Sequence, residues 1–279
     1  MSPAVQGAVT RVITGTRRCK QFWGLLHAFW RSFIPLGSDG TGRARPVRST
    51  AIQAHRGSPD PASGIRENTV EAFVRAGRLG ADGVELDVRT TADGALAVHH
   101  DPLVEGAGPL SGLTAAELPS YIPLLTDALD ACRGLTVNIE IKNLPGEPCF
   151  DPDERVAREV VDLVVGAGRE SGVVISSFWP PTLEAVHALR PDLVTGLLLA
   201  PWFDPGEAVA AAVARGCHAV HPHVDLVSGA LVAGAHRAGL AVAAWTVNGA
   251  PAMAAVAEAG VDTVITDDVP LAVATLDGD

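Results

Sequence analysis

Two histidines, three acids and two cations stand in this sequence where their side chains can act together. His55-Arg56-Gly57 follows a short apolar run, Glu85 and Asp87 alternate with Val84, Leu86 and Val88, His99-His100-Asp101 follows another apolar run, and Glu140 and Lys142 flank Ile141. Side chains of an extended strand alternate faces, so Glu85 and Asp87 point one way, as do Glu140 and Lys142, while Leu86 and Ile141 turn to the other side. Three carboxylates gathered away from water repel one another and each costs several kcal/mol to desolvate, so Glu85, Asp87 and Glu140 call for a cation. Oxygen-only ligation favours one hard divalent ion, magnesium or calcium first and manganese next, and the lack of neighbouring cysteine argues against zinc. The competing arrangement is a set of ion pairs with Arg56 and Lys142. Two imidazoles near neutral pKa can divide the proton transfers that cleavage of a phosphodiester demands. His55 and His100 are the candidates; His99 and His100 face opposite ways in extended chain, so one of them enters the site, and we assign His100. A bound ion would supply Lewis acidity, and Arg56 and Lys142 would add charge-assisted bonds to phosphate. His187, His218, His221, His223 and His236 carry weaker signals, although His221 and His223 follow a strand end.

Positioning these groups requires several strands that end on one side. From residue 51 onward, strand-length apolar runs alternate with longer Ala/Leu/Val-rich segments, the pattern of a parallel sheet with crossover helices. Strands are expected near 51–54, 83–88, 135–141, 173–176, 194–199, 217–220, 241–245 and 262–265. Helices fit 68–80, 123–132, 153–170, 180–190, 206–215, 228–238, 250–259 and 268–275, with Pro180, Pro181 and Pro251 at starts where a missing N–H costs little. Eight strands predict a single-domain α/β fold, a (β/α)8 TIM barrel, whose chemistry sits at the C-terminal strand ends.

Composition bounds the remaining choices. A chain of 279 residues with 47% apolar content can bury one large core. Residues 1–50 hold eight Lys/Arg against Asp39 alone, a net +7; with a total of −11, the other 229 residues carry −18. That acidic body disfavours nucleic acid as a partner. Cys19, Cys132, Cys149 and Cys217 lie far apart, without zinc-type spacing or a disulfide framework. Residues 1–48 read as an N-terminal extension and linker, and 49–279 as the barrel. Within the extension, Phe22, Trp23, Leu26, Phe29, Trp30 and Phe33 recur at helical spacing behind Arg17, Arg18 and Lys20, so residues 17–36 could touch an anionic membrane surface or pack on the barrel. His27 and Arg31 interrupt the apolar run, which makes a poor export signal, and a cytoplasmic location is expected. Oligomeric state is open.

AHRG at 54–57, ENTVEAFVRAGRLGADGVELDVRTTADGALAVHHD at 67–101, IEIK at 139–142, and AWTVN with AGVDTVITDD at 244–268 together resemble the glycerophosphodiester phosphodiesterase family. HRG, E-x-D, HD and E-I-K are weak singly and specific in this order. The resemblance covers nearly all of 51–275. It implies a (β/α)8 barrel that releases sn-glycerol 3-phosphate and an alcohol, a role in lipid and glycerol metabolism. It further implies metal ligation by Glu85, Asp87 and Glu140, catalysis by His55 and His100, phosphate contacts from Arg56 and Lys142, and a pocket wall at Trp245. Glu67 and Asn68 match turn residues of the family and could equally cap the following helix. Attack by the glycerol 2-hydroxyl and attack by water both fit, as does either assignment of acid and base. The segment DPLVEGAGPLSGLTAAELPSYIPLL is shorter than in many members and lacks an arginine- and threonine-containing insertion, so the pocket is expected to be more open. The leaving alcohol is therefore not specified.

Three other readings compete. A sphingomyelinase D-like enzyme would use the same barrel and metal on membrane phospholipid, with residues 17–36 docking the bilayer. An enolase-type barrel would use the carboxylates but has no need of the histidine pair. A non-catalytic barrel binding glycerol phosphates should have lost a ligand or a histidine, and none is missing.

Overall fold

The computed structural model describes residues 48–277. The amphipathic segment 17–36 and most of the linker lie outside the described residues. Eight parallel strands form the closed barrel: β1 (Ala51–Ala54), β2 (Gly83–Thr90), β6 (Thr136–Ile141), β7 (Val173–Ser177), β8 (Val194–Leu199), β9 (Ala219–Pro222), β10 (Ala241–Ala244) and β11 (Thr263–Thr266). Pairing of β1 with both β2 and β11 closes it, in the register Gln53 to Gly83 and Ala51 to Thr263. The helices are α1 (Val70–Leu79), α2 (Leu125–Ala131), α3 (Arg155–Gly166), α4 (Pro180–Leu189), α5 (Pro205–Ala214), α6 (Gly229–Arg237), α7 (Ala250–Glu258) and α8 (Val269–Leu276). None of the described helices is long and apolar enough to cross a membrane.

Period-two alternation sorts the strand residues into two layers. Leu86, Val88, Ile139, Ile141, Val220, Val242 and Val264 face the helices and join Phe73, Leu129, Val160 and Leu183 in the main core. Burying each such large side chain contributes roughly 1.5–3 kcal/mol. The alternate positions face the barrel axis. Helix starts follow the local chemistry: Thr69, Asp204, Ser228 and Asp268 each accept a hydrogen bond from the backbone N–H three residues on, and α4, α5, α7 and α8 carry proline in their first turn. Glu67 and Asn68 do not cap α1; Thr69 does, because Asn68 is turned into the left-handed region (φ 55°) and spends its side chain elsewhere.

Two departures from the expected elements matter. The second strand runs on to Thr90 and folds back through an antiparallel pairing with β3 (Leu96–Val98), Arg89 lying opposite Ala97. Residues beyond it form the small hairpin β4 (Leu103–Val104) and β5 (Gly108–Pro109), over a satellite cluster of Ala97, Val104, Leu110 and Ile122. Gly, Pro and Ser punctuation hid these short strands. The sixth barrel strand begins at Ala219, two residues later than expected, because the Cys217 N–H still donates to the Ala212 carbonyl in the turn that leaves α5. At the opposite end, Arg48 ion-pairs with Asp82 at 2.9 Å and with Asp277, fastening the start of the described chain to the barrel floor.

Candidate active site

His55, Lys142, His223, Trp245 and Asp267 all come immediately or one residue after a barrel strand, so one end of the barrel collects them. The register of β2 with β6 sets Asp87 beside Glu140 and Glu85 beside Asn138. One oxygen from each of Glu85, Asp87 and Glu140 lies within 4.8 Å of the others, and all three residues are buried.

The cations are shared unequally among these acids. Lys142 Nζ is 2.6 Å from Glu140 Oε1 and 3.2 Å from Asp87 Oδ1, and Arg56 Nε is 3.4 Å from Asp87 Oδ2. The ion pairs that competed with the cation reading are thus present, but they leave out Glu85. Its Oε2 accepts from the Arg56 backbone N–H at 2.9 Å, and its Oε1 is buried without a partner among the described residues. Burial, then the charge of Asp87, pushes the Glu85 carboxyl up to about 8. Burial opposes ionisation of Asp87 too, yet Lys142, His100, Arg56 and a hydrogen bond from Asn68 together hold it below the usual carboxylate range. Burial raises Glu140 despite Lys142, and the Lys142 ammonium, although buried, is held above its ordinary value by Glu140 and Asp87. Three acids against two cations, with an orphaned oxygen on the acid that lacks one, is a donor set that fits a hard divalent ion.

Backbone turns place these partners. Arg56 takes φ 53°, which brings its N–H onto Glu85. Gly57 follows at φ 79°, and a Cβ there would stand 2.9 Å from the Ala72 backbone, so the turn can lie on α1 only with glycine. Asn68 donates Nδ2–H to Asp87 Oδ2 at 2.8 Å and accepts from the Asp87 N–H, fixing the carboxylate from below. Glu67 takes the Arg56 Nη1 at 2.9 Å.

Each imidazole has its own carboxylate. His55 Nδ1 is 2.7 Å from Asp267 Oδ1, which leaves Nε2 at 4.0 Å from Glu85 Oε2. Burial works against its charge, but the Asp267 bond and the Glu85 charge outweigh burial and raise its pKa. Asn248 donates to Asp267 Oδ2 at 2.7 Å and accepts from the Asp267 N–H and the Thr266 hydroxyl. His100 Nδ1 is 2.7 Å from Asp101 Oδ1, and the ring feels Lys142, Asp87 and Arg56; burial and then Lys142 lower its pKa. Trp245 sits edge-on to Phe178 and to His223, with centroids 5.5 and 5.1 Å apart, and Lys142 Nζ is 5.9 Å from the Phe178 ring.

All eight residues singled out in the sequence therefore surround one mouth. Asp267, Asp101, Arg89 and Phe178 went unassigned, although Asp101 and Asp267 are the acids of the HD and TDD strings already noted. His221 faces inward below the mouth, whereas His223 reaches the aromatic wall.

Fold and mouth define a class: a (β/α)8-barrel enzyme with a carboxylate cluster beside two carboxylate-held imidazoles. Sequence comparison narrows it, since residues 55–271 match the Glycerophosphoryl diester phosphodiesterase family. A glycerophosphodiester phosphodiesterase of Caldanaerobacter subterraneus subsp. tengcongensis is 32% identical over 248 residues, covering 78% of this chain and 94% of that protein. Among solved structures, a glycerophosphodiester phosphodiesterase from Parabacteroides distasonis superposes with a TM-score of 0.69 at 24% identity, over 79% of this chain and 93% of that one. An Oleispira antarctica phosphodiesterase in complex with the product sn-glycerol-3-phosphate gives a TM-score of 0.69 at 22% identity, over 82% and 97%. The chain belongs to the glycerophosphoryl diester phosphodiesterase family, and it is a phosphoric diester hydrolase.

Proposed function

We propose that the protein hydrolyses glycerophosphodiesters to sn-glycerol 3-phosphate and an alcohol, with one divalent cation held by Glu85, Asp87 and Glu140 and with His55 and His100 as the acid/base pair. One observation carries this reading: the partnerless Glu85 Oε1 lies in a three-carboxylate cluster, next to an imidazole whose other nitrogen is already bound to Asp267. When bound, the cation supplies Lewis acidity toward a non-bridging phosphate oxygen, magnesium, calcium and manganese all suiting the oxygen donors.

The chain's own residues divide the rest. Asp267 and Asp101 hold the Nδ1 atoms of His55 and His100 and so leave Nε2 of each ring for substrate. One Nε2 takes the proton of the attacking oxygen, that of the glycerol 2-hydroxyl or of water, and the other gives a proton to the leaving alcohol oxygen. Arg56 and Lys142 neutralise the phosphate, and Trp245 with Phe178 offers an apolar edge to the carbon skeleton. A proton lost on one side and gained on the other needs groups that do not share a partner, and the two dyads share none.

The test is turnover of glycerophosphocholine and glycerophosphoethanolamine with magnesium, calcium or manganese, read as glycerol 3-phosphate released. His55→Ala and Glu85→Ala should each lower kcat/KM by about 10³-fold or more, the scale of losing an acid/base group or a metal ligand. Undiminished turnover in either variant would refute the assignment.

A further inference from the structure

Arg89 is a buried cation that the proposed reaction does not use. It is 2% exposed, on the inward-facing row of β2 that also carries Glu85 and Asp87, at the point where the strand leaves the barrel to pair with β3. Its guanidinium spans three segments: Nε donates to the His100 carbonyl at 2.8 Å, while Nη1 donates to Glu147 Oε2 at 2.6 Å and to the Lys142 carbonyl at 3.4 Å. Glu147 belongs to the turn after β6, closed by its own N–H donating to the Leu144 carbonyl. One side chain thus joins the backbone under one proposed imidazole to the backbone under the proposed phosphate-binding lysine.

A charge buried to this degree costs several kcal/mol to desolvate, and an apolar side chain of similar volume commonly serves stability as well. What an apolar residue cannot do is fix two carbonyls from different loops at one distance. A lysine cannot do it either, because its single ammonium lacks the planar fork that reaches separate acceptors. His100 needs such a tether. It lies beyond the end of β3, and among the described residues its imidazole hydrogen-bonds only to the neighbouring Asp101, whose side chain is 71% exposed.

We infer that Arg89, braced by Glu147, is a positioning residue that sets the His100 imidazole against Lys142 and the carboxylate cluster. The inference rests on the reading of His100 as a proton-transfer group. Misplacement of a reacting group by about 1 Å costs on the order of 100-fold, so Arg89→Lys should lower kcat by roughly 30-fold while KM stays within about threefold. Glu147→Gln, which keeps an acceptor for the guanidinium but removes its charge, should lower kcat by about threefold.

Two readouts separate positioning from general support. In a cycle with His100→Ala, assayed on a glycerophosphodiester with a p-nitrophenol leaving group, Arg89→Lys should cost less than about twofold once the imidazole is gone, since coupled residues are non-additive. Hydrogen exchange at amides 99–101 should quicken in Arg89→Lys while barrel-strand amides stay protected. Equal losses with and without His100, or unchanged exchange at 99–101, would overturn the inference. If Arg89→Lys fails to fold, the same cycle and exchange measurement on Glu147→Gln decide. A wild-type protein that turns over no diester speaks instead against the proposed reaction, and exchange alone then judges the tether.

Discussion

The two walls of the barrel treat a buried histidine in opposite ways. Along β1, β2 and β6 the inward side chains include Glu85, Asp87, Glu140, Lys142 and Arg89, and His55 stands among them with a pKa raised by Asp267 and Glu85 against the effect of burial. Along β7, β8 and β9 the inward positions include Val174, Ser176, Val194, Gly196, Leu198, Ala219 and His221, and no charge among the described residues shifts the ring. His221 is 1% exposed, neither ring nitrogen has a partner among the described residues, and burial alone pushes it down to about 4. The wall recedes to admit it, for a Cβ on Gly196 would lie 2.4 Å from Nε2. Burial works against both imidazolium ions; carboxylates beside His55 outweigh it, and His221 has none to do so. Residue type does not set the charge of an imidazole in this barrel, and its neighbours do.

The largest effect expected from this contrast is on stability in acid. His221 stays neutral in the folded chain down to about pH 4 but charges near 6.5 when unfolded. Between those values the unfolded state binds the extra proton, so stability is intact above pH 6.5 and falls as pH drops toward 4, by about 3 kcal/mol in all. His221→Gln should remove that component of the acid limb, measured as the difference in urea unfolding free energy between pH 7 and pH 4.5 for variant and wild type. Identical pH dependence would mean that the ring is protonated or partnered in the folded protein, and the contrast between the walls would collapse.

A smaller effect compares the two dyads at the mouth. Asp267 is held on both oxygens, by His55 and by Asn248, whereas Asp101 reaches His100 from a largely exposed position. Removing the charge from a well-fixed orienting carboxylate disturbs tautomer and aim together. Asp267→Asn should therefore lower kcat by about 30-fold and Asp101→Asn by only about threefold, because Arg89 still tethers the second imidazole through its backbone. The reverse order in steady-state kinetics would show that the exposed acid does more than the network-held one.

Much of this was written in the sequence, and the physical reason is periodicity. Val84-Glu85-Leu86-Asp87-Val88 and Ile139-Glu140-Ile141-Lys142 alternate apolar and charged residues, which reveals both the strand and which face carries the chemistry. Arg89 continues the same row one residue past 83–88, the span that the alternation alone marks as strand, so its inward aim depends on the extension of β2 to Thr90. Asp267 and Asn248 depend on β11 lying between β1 and β10, a long-range pairing that no local pattern encodes. Asn68 looked like a helix cap because polar residues before a helix usually are; its left-handed backbone, invisible in the sequence, redirects it onto Asp87.

The gentlest test of the contrast follows the cation itself. Glu85 lacks a cationic side-chain partner of its own apart from His55, and burial and Asp87 push its carboxyl up to about 8, so a proton competes with the ion for its oxygens. A ligand carboxyl must be deprotonated, so binding releases that proton, and apparent affinity should rise about tenfold per pH unit below pH 8 and level off above it. Calorimetric titration of manganese or calcium at pH 6.5, 7.5 and 8.5, in buffers of different ionisation enthalpy, would read both the slope and the proton count. Glu85→Gln should bind the ion more weakly and without this slope, while His221→Gln should leave the slope intact because its wall contributes no charge. An affinity independent of pH across this range in the wild-type protein would place the titrating proton elsewhere and detach Glu85 from the ion.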